Sequence, residues 1–400
     1  MKLLLLFSIF IGLSPAFAQP AFDTTGGRFF RPVFDSVQIT ENVVYAKGLY
    51  ANGQISNLVL DVYQPFGDTL AQRPVIVLAH GGGFIQGSKA DMRLTCIQFA
   101  KKGFVTISIQ YRLGFTSITP AAITEMVIRA SQDIKNSIRF LRKSASENNP
   151  FKIQPNYIFA GGFSAGAITA VHAAYLDKLS EIPSGQTIAT LDSLHNNAQY
   201  PGIDWRFKAV LNIAGSVGDT NWIESGDTPI TSFHGTADGT VPYISGTIGL
   251  PGAGQIRMFG SFSIFSRCQN LNIRSELRAF VGANHNYTTA NPSFADTTEI
   301  RICRFLMPFL TESITKIERQ KKNQGLGFSV KHSNNTWQIE NPEAGFTYEL
   351  FDLQGRQIQA KLISRSNRLN INTSNASRLI RLESKTGNAF VRFLPAFIQN

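Results

Sequence analysis

Charge is scarce in this sequence. Only 16% of its 400 residues are Asp, Glu, Lys or Arg, against ~25% in average soluble domains. A disordered chain would carry more charge and fewer aromatic side chains. Here the aromatic fraction is 11%, with 31 Phe, so a folded, core-forming chain is expected. Cysteine is scarce too, with only Cys96, Cys268 and Cys303. That number excludes a disulfide scaffold, and the spacing matches no zinc site. Beyond the first residues, no stretch approaches the ~18–20 apolar residues of a membrane span. Long runs of one charge are also missing. The net charge is +11, but the longest basic cluster is Arg319-Gln320-Lys321-Lys322 and the other cations are scattered. A solvated basic surface is therefore expected, with no nucleic-acid partner.

What is present divides the chain into four parts. Residues 1–18 read as an export signal. Lys2 supplies the positive start, Leu3 to Leu13 the apolar stretch, and Ala16-Phe17-Ala18 a small-residue cleavage site. No Cys follows that site, so no lipid anchor is expected there. The mature protein is expected to be secreted or held at the cell surface, where disulfides can form. Residues 19–312 alternate short β-branched or apolar runs with helix-like stretches. The strand signals are Asn57–Tyr63, Pro74–His80, Phe104–Gln110, Tyr157–Gly161, Phe207–Ile213, Ile230–His234 and Ser275–Phe280. The helical signals are Asp91–Lys102, Glu125–Ser146, Ala165–Leu179 and Thr298–Leu310. Near-continuous apolar strands separated by helices predict an α/β fold, with a mostly parallel central sheet covered on both faces. Residues 313–324 are polar and charged and read as a linker. Residues 325–400 carry short alternating runs, Thr336–Glu340, Thr347–Asp352, Arg378–Leu382 and Ala389–Phe393, and predict a small C-terminal β-sandwich module.

One motif carries the chemistry. Tyr157–Gly161 runs into Gly162-Phe163-Ser164-Ala165-Gly166, a G-x-S-x-G at a strand-to-helix transition. A sharp turn there projects the Ser164 hydroxyl above the sheet as a nucleophile. A second glycine cluster, His80-Gly81-Gly82-Gly83-Phe84, follows the apolar run Pro74–Ala79. Backbone N–H groups of Gly82, Gly83 and Ala165 are the candidate oxyanion donors, placed where a tetrahedral intermediate becomes negative. A phosphate-binding loop is the rival reading of the glycines, but the G-x-x-x-x-G-K-[ST] pattern is absent. Six histidines allow elimination. His80 lies in the glycine loop as a structural residue, His172 lies too far down the helix from Ser164, His195 is in an irregular stretch and His332 is in the C-terminal module. His234 ends a strand. His285 remains, in a loop directly after the Ser275–Phe280 run, where open α/β sheets place their sites. Asp238, in the loop after Ile230–His234, is the candidate that orients it. The order Ser164, Asp238, His285 is the hydrolase order.

On these residues the chain from about 57 to 310 resembles the α/β-hydrolase superfamily, in its carboxylesterase/lipase branch with an HGGG oxyanion loop. The feruloyl-esterase-like and hormone-sensitive-lipase-like members are the most similar. Leu60-Asp61-Val62-Tyr63-Gln64-Pro65, Tyr111-Arg112-Leu113, Ser131-Gln132-Asp133-Ile134 and His234-Gly235-Thr236-Ala237-Asp238 add to the match. The C-terminal module resembles the sorting domain of the type IX secretion pathway, through Tyr348–Arg356 and Phe390–Leu394. It departs from that family at Asn375-Ala376-Ser377-Arg378, where Gly before an aromatic is usual. That resemblance implies a partner in the export machinery and a module cleaved during export, with no part in catalysis. A carbohydrate-binding β-sandwich is the alternative.

The expected activity is that of a secreted serine ester hydrolase working through an acyl-enzyme, with no metal and no organic cofactor. Its partner would be a small-molecule or polysaccharide-linked ester. A peptidase on the same fold and a non-catalytic binding protein are the alternatives. Phe84, Phe163, Trp222 and Tyr243 are candidate pocket aromatics. Ser180–Arg206 and the glycine-rich Gly246–Gly260 are candidate mobile walls. Cys268 and Cys303 flank the His285 loop in sequence and are expected to pair, leaving Cys96 as a buried thiol, although three pairings are open.

Overall fold

The computed structural model describes residues 22–311, apart from 51, 116, 118, 184–198 and 250–254, together with seven strands between 329 and 394. The export signal 1–18, the linker 313–324 and the turn at Gln354–Arg356 lie outside the described residues. So do Asn375–Ser377 and the middle of the Ser180–Arg206 insertion. The chain divides into two units, one spanning Pro20–Glu312 and the other containing Ser313–Asn400.

The larger unit is built on an eight-stranded sheet. Its strands, with those of a small side sheet, are β1 (Val37–Leu49), β2 (Ile55–Pro65), β3 (Arg73–Ala79), β4 (Val105–Ile109), β5 (Ile153–Phe163), β6 (Val210–Ile213), β7 (Ser216–Val217), β8 (Ile230–Gly235), β9 (Ser245–Gly249), β10 (Gln255–Gly260) and β11 (Ser275–Phe280). The main sheet runs β1-β2-β4-β3-β5-β6-β8-β11. β1 and β2 pair antiparallel, as do β2 and β4. From β4 to β11 every pairing is parallel. The helices are α1 (Arg93–Lys101), α2 (Pro120–Glu147), α3 (Ala165–Tyr175), α4 (Ser261–Asn270), α5 (Tyr287–Ala290) and α6 (Pro292–Thr311). This is the α/β class expected from the alternating runs.

The period of two along each strand builds a core on both faces. On β3, Val75, Val77 and Ala79 join one apolar cluster while Ile76 and Leu78 join the other. The first cluster is closed by α2, α3 and α4, the second by α1 and α6. Thr119 caps α2 by accepting the Ala122 N–H, and Pro120 opens it where no N–H is needed. The segments Tyr111-Arg112 and Gln132-Asp133 meet in a buried clamp. Asp133 accepts the Arg112 backbone N–H at 2.8 Å and pairs with its guanidinium at 2.7 Å, with both side chains almost fully buried. It ties the loop after β4 to the middle of α2.

One expectation needs correction. Cys268 and Cys303 do not pair; all three cysteines are free and buried. Cys268, on α4, belongs to one core cluster and Cys303, on α6, to the other. The sheet lies between them, so nearness in sequence around the His285 loop does not bring them together. In the glycine-rich stretch Gly246–Gly260, read as a candidate wall, the described residues are two paired strands, and residues 250–254 lie outside the described residues. β9 and β10 pair antiparallel with Ile248 opposite Ile256, and β10 continues onto β7. Gly260 is required where it stands, because a Cβ there would fall 1.8 Å from the Pro242 carbonyl oxygen. Strand β1 gave no clear sequence signal: most of its side chains are exposed or half-buried, as on a sheet edge.

The second unit contains β12 (Ser329–Ser333), β13 (Thr336–Glu340), β14 (Thr347–Phe351), β15 (Gln357–Ile363), β16 (Arg368–Asn372), β17 (Arg378–Glu383) and β18 (Ala389–Leu394). These strands form two antiparallel sheets, β12-β13-β16 and β15-β14-β17-β18.

Candidate active site

The carboxyl ends of β3, β5, β8 and β11 converge, as expected of a site on a parallel sheet. Ser164 sits between β5 and α3 with φ 56° and ψ −122°. That conformation is sparsely populated for a residue with a side chain and is held only by its surroundings. The Ser164 N–H donates to the Ile213 carbonyl of β6, and its own carbonyl accepts from Ile168 in the first turn of α3. Small residues make the turn possible. A Cβ on Gly162 would lie 2.3 Å from the Ala79 carbonyl oxygen, and one on Gly166 would lie 2.0 Å from the same atom.

The His285 ring lies against the Ser164 hydroxyl, with Nε2 2.8 Å from Oγ. On its other side Nδ1 is 2.7 Å from Asp238 Oδ2. The carboxylate only accepts, so Nδ1 carries the proton and Nε2 is left to accept from serine. The Asp238 side chain is fully buried and the His285 ring is nearly so. Asp238 Oδ1 accepts the N–H groups of Thr240 and Val241, both at 2.9 Å. Burial alone would push this carboxyl up. Hydrogen bonds from His234, His285 and the Val241 N–H outweigh it and hold the group well below the usual carboxylate range. The Phe163 ring lies 5.2 Å from the imidazole of His285.

The glycine loop after β3 turns over Ser164. Gly82, Gly83 and Phe84 have φ of 108°, 62° and 64°. The Gly82 carbonyl accepts from Ile85 and Gln86, closing the turn. The N–H groups of Gly82, Gly83 and Ala165 have no acceptor among the described residues, and Gly83 and Ala165 border the same cavity as Ser164. His80 is a structural residue here. Its Nδ1 is 2.7 Å from the Gly81 carbonyl, its ring stacks on Tyr111 at 4.4 Å, and it is fully buried.

The cavity beside Ser164 holds about 120 Å³. Of the four aromatics singled out in the sequence, only Phe84 lines it. Phe163 packs on His285, Tyr243 on His234 and Phe262, and Trp222 on His172. The rest of the wall comes from Ile123 and Met126 of α2, Ile168 of α3, Val241, and Ile248 of β9. These aliphatic positions look like ordinary core in the sequence and had no local signal. A second, larger cavity of about 740 Å³ lies one turn further along α3, where His172 replaces Ile168 in the wall. There burial lowers the His172 imidazole to about 4, and Nδ1 donates to the Ile168 carbonyl at 2.8 Å. Among the described residues no cluster of three His, Cys, Asp or Glu is placed to hold a metal ion.

Comparison with known proteins adds to this geometry. The BD-FAE family model matches residues 60–218, which takes in the glycine loop and Ser164 but ends before Asp238 and His285. Esterase 2 of Thermogutta terrifontis superposes with a TM-score of 0.50 over 70% of this chain and 96% of that one, at 22% identity. The chain has the α/β-hydrolase fold. In sequence it is similar to the isoprenylcysteine α-carbonyl methylesterase of Arabidopsis thaliana, at 30% identity over 188 residues. It is also similar to a non-reducing polyketide synthase of Aspergillus novofumigatus, at 28% over 164 residues. The matches cover 47% and 39% of this chain, but only 37% and 7% of those two proteins.

Proposed function

We propose that this protein is a serine ester hydrolase. The observation that carries the proposal is the pair of short hydrogen bonds through His285, 2.8 Å to Ser164 Oγ and 2.7 Å to Asp238 Oδ2, beside unpaired backbone N–H groups. Ser164 Oγ attacks the ester carbonyl as His285 Nε2 takes its proton. Asp238 holds the imidazole in the required tautomer and stabilises the imidazolium. The carbonyl oxygen becomes negative and accepts from the N–H groups of Gly83 and Ala165, with Gly82 beside them. His285 then protonates the leaving alcohol, and water activated by the same imidazole releases the acid from Ser164. The BD-FAE match and the relative named a methylesterase support ester chemistry for this arrangement.

The 120 Å³ cavity takes the acyl group. At roughly 30 Å³ per water-sized unit, it has room for about four such units, and its walls are mostly aliphatic. Short-chain acyl esters are thus the favoured substrates, offered by a small molecule or a polysaccharide. In this reading residues 1–18 direct secretion, and the C-terminal module engages the export machinery, leaving the enzyme outside the cell or at its surface. A panel of acetyl, butanoyl, octanoyl and feruloyl nitrophenyl esters tests the reading, with Ser164→Ala as control. Acetyl or butanoyl turnover abolished in Ser164→Ala is the expected result. No turnover of any ester by the wild-type chain, with no phosphonate labelling of Ser164, would sink it.

A further inference from the structure

Asp238 is shared between two histidines. Oδ2, which accepts from His285, also lies 3.1 Å from His234 Nε2. The Nε2 hydrogen bond runs to the Val241 carbonyl oxygen, also at 3.1 Å, with Asp238 Oδ2 beside it. Both neighbours are acceptors, so the His234 proton must sit on Nε2. The opposite nitrogen, Nδ1, is 2.7 Å from Ser261 Oγ. Ser261 in turn accepts from Asn212 Nδ2 at 3.1 Å. The Asn212 amide cannot be turned round, because its oxygen accepts the Gly215 N–H at 3.0 Å and its nitrogen also donates to Ser232 at 3.0 Å. With Asn212 donating to it, Ser261 has its own hydrogen free for His234 Nδ1. Among the described residues, the other acceptor near that hydroxyl is the Gly215 carbonyl, 3.5 Å away. The polar chain Asn212, Ser261, His234 is fully buried, so each donor and acceptor in it must be satisfied internally.

We propose that His234 is a positioning residue for the catalytic centre, its Nε2–H, anchored on the Val241 carbonyl and lying 3.1 Å from Oδ2, steadying the Asp238 carboxylate and limiting how strongly that carboxylate holds His285. This rests on the Ser164–His285–Asp238 reading above. Three elements meet in the arrangement: Asn212 on β6, His234 on β8 and Ser261 opening α4. Asp238 sits on a loop, where two N–H groups hold Oδ1 and His285 holds Oδ2. His234 lies against Oδ2 as a fourth neighbour at 3.1 Å. A donor on Oδ2 also draws charge from the carboxylate. Without it Oδ2 would bind the His285 imidazolium more tightly, and His285 would become a stronger base.

The expected shift follows from the size of one hydrogen bond. A neutral donor contributes roughly 0.5–1.5 kcal/mol, or about half a pH unit to one unit. The test is an NMR titration of the His285 imidazole in the full chain, tractable with only six histidines. His234→Phe removes the donor and keeps the bulk. His234→Gln can restore an N–H near the Nε2 position. Ser261→Ala removes the hydrogen bond to Nδ1, and with it the polarisation of the Nε2–H, without touching His234. His285 is expected to titrate about half a unit to one unit higher in His234→Phe, and to shift less in the same direction in Ser261→Ala. His234→Gln should return it to the wild-type midpoint. The acidic limb of kcat/KM should move with it. An unchanged or lowered His285 midpoint in both His234→Phe and Ser261→Ala overturns the proposal. Should His234→Phe fail to fold, Ser261→Ala alone decides by the same sign. Because the titration needs no turnover, it separates failure of this proposal from failure of the ester hydrolase reading.

Discussion

Lys135 offers the sharpest test of the energetics. It lies on the buried face of α2, fully enclosed. Nζ donates to the Leu176 carbonyl at the end of α3 at 3.0 Å and lies 4.0 Å from the Trp205 ring centre. Burial lowers its pKa from 10.5 to about 7, partly offset by Asp177 and Glu181 and reinforced by Arg139. The folded pKa is below the unfolded one, so protonation favours the unfolded chain. The stability involved is fully present above the unfolded value and is lost as pH falls through the folded value near 7. At about 1.36 kcal/mol per unit, the loss between about pH 9.5 and pH 7 amounts to ~3 kcal/mol. Lys135→Met removes that dependence. It also strands the Leu176 carbonyl, a cost of ~1–3 kcal/mol that does not vary with pH. Buried tyrosines such as Tyr45 and Tyr175, whose pKa values are raised by burial, titrate equally in both proteins and drop out of the difference. Urea unfolding of wild type and Lys135→Met across that range measures the difference directly. The stability of the variant relative to wild type should fall by ~3 kcal/mol from pH 7 to about pH 9.5. A difference that stays flat across the range would refute the account of Lys135 as a buried, partly neutral amine.

Other perturbations probe the elbow, the clamp and the cysteines. Gly166→Ala drives a methyl group into the Ala79 carbonyl and within 2.6 Å of the His80 carbonyl. It should cost ~1–3 kcal/mol in urea unfolding and, by displacing Ser164 and the glycine loop, roughly 100-fold in kcat/KM. Asp133→Asn breaks the buried pair with Arg112 and should cost ~3–5 kcal/mol, read from the shift in the urea midpoint. Thiol titration of the denatured, unreduced chain should find all three cysteines; a count of one would reinstate the disulfide. In the folded chain these thiols should react slowly below alkaline pH, since burial pushes Cys268 and Cys303 up to about 12 and no ionised thiolate is offered.

Local patterns were readable without the fold. The elbow at Ser164 needs small neighbours and a strand-to-helix switch within ten residues, and each of those is a short-range property. The parallel strands were readable for the same reason: a buried β-strand is apolar on both faces, and β3 is a continuous apolar run from Pro74 to Ala79, while β4 and β6 are interrupted only by Thr106, Ser108 and Asn212. Edge strand β1 lacks that pattern because most of its side chains meet solvent, and the paired strands β9 and β10 were hidden by their glycines, of which Gly260 serves close backbone packing. The cavity wall was not readable at all. Ile123, Met126, Ile168 and Ile248 come from two helices and a strand, and nothing local separates them from other core residues.

The sequence by itself determined the fold class, the nucleophile candidate and a short list of histidines. The sheet order decided the rest. It brings His285 to Ser164 across 121 positions, puts Cys268 and Cys303 on opposite faces, and sets His234 against the carboxylate that His285 also holds. Those are pairwise distances between distant residues, and they exist only once the strands have chosen their neighbours.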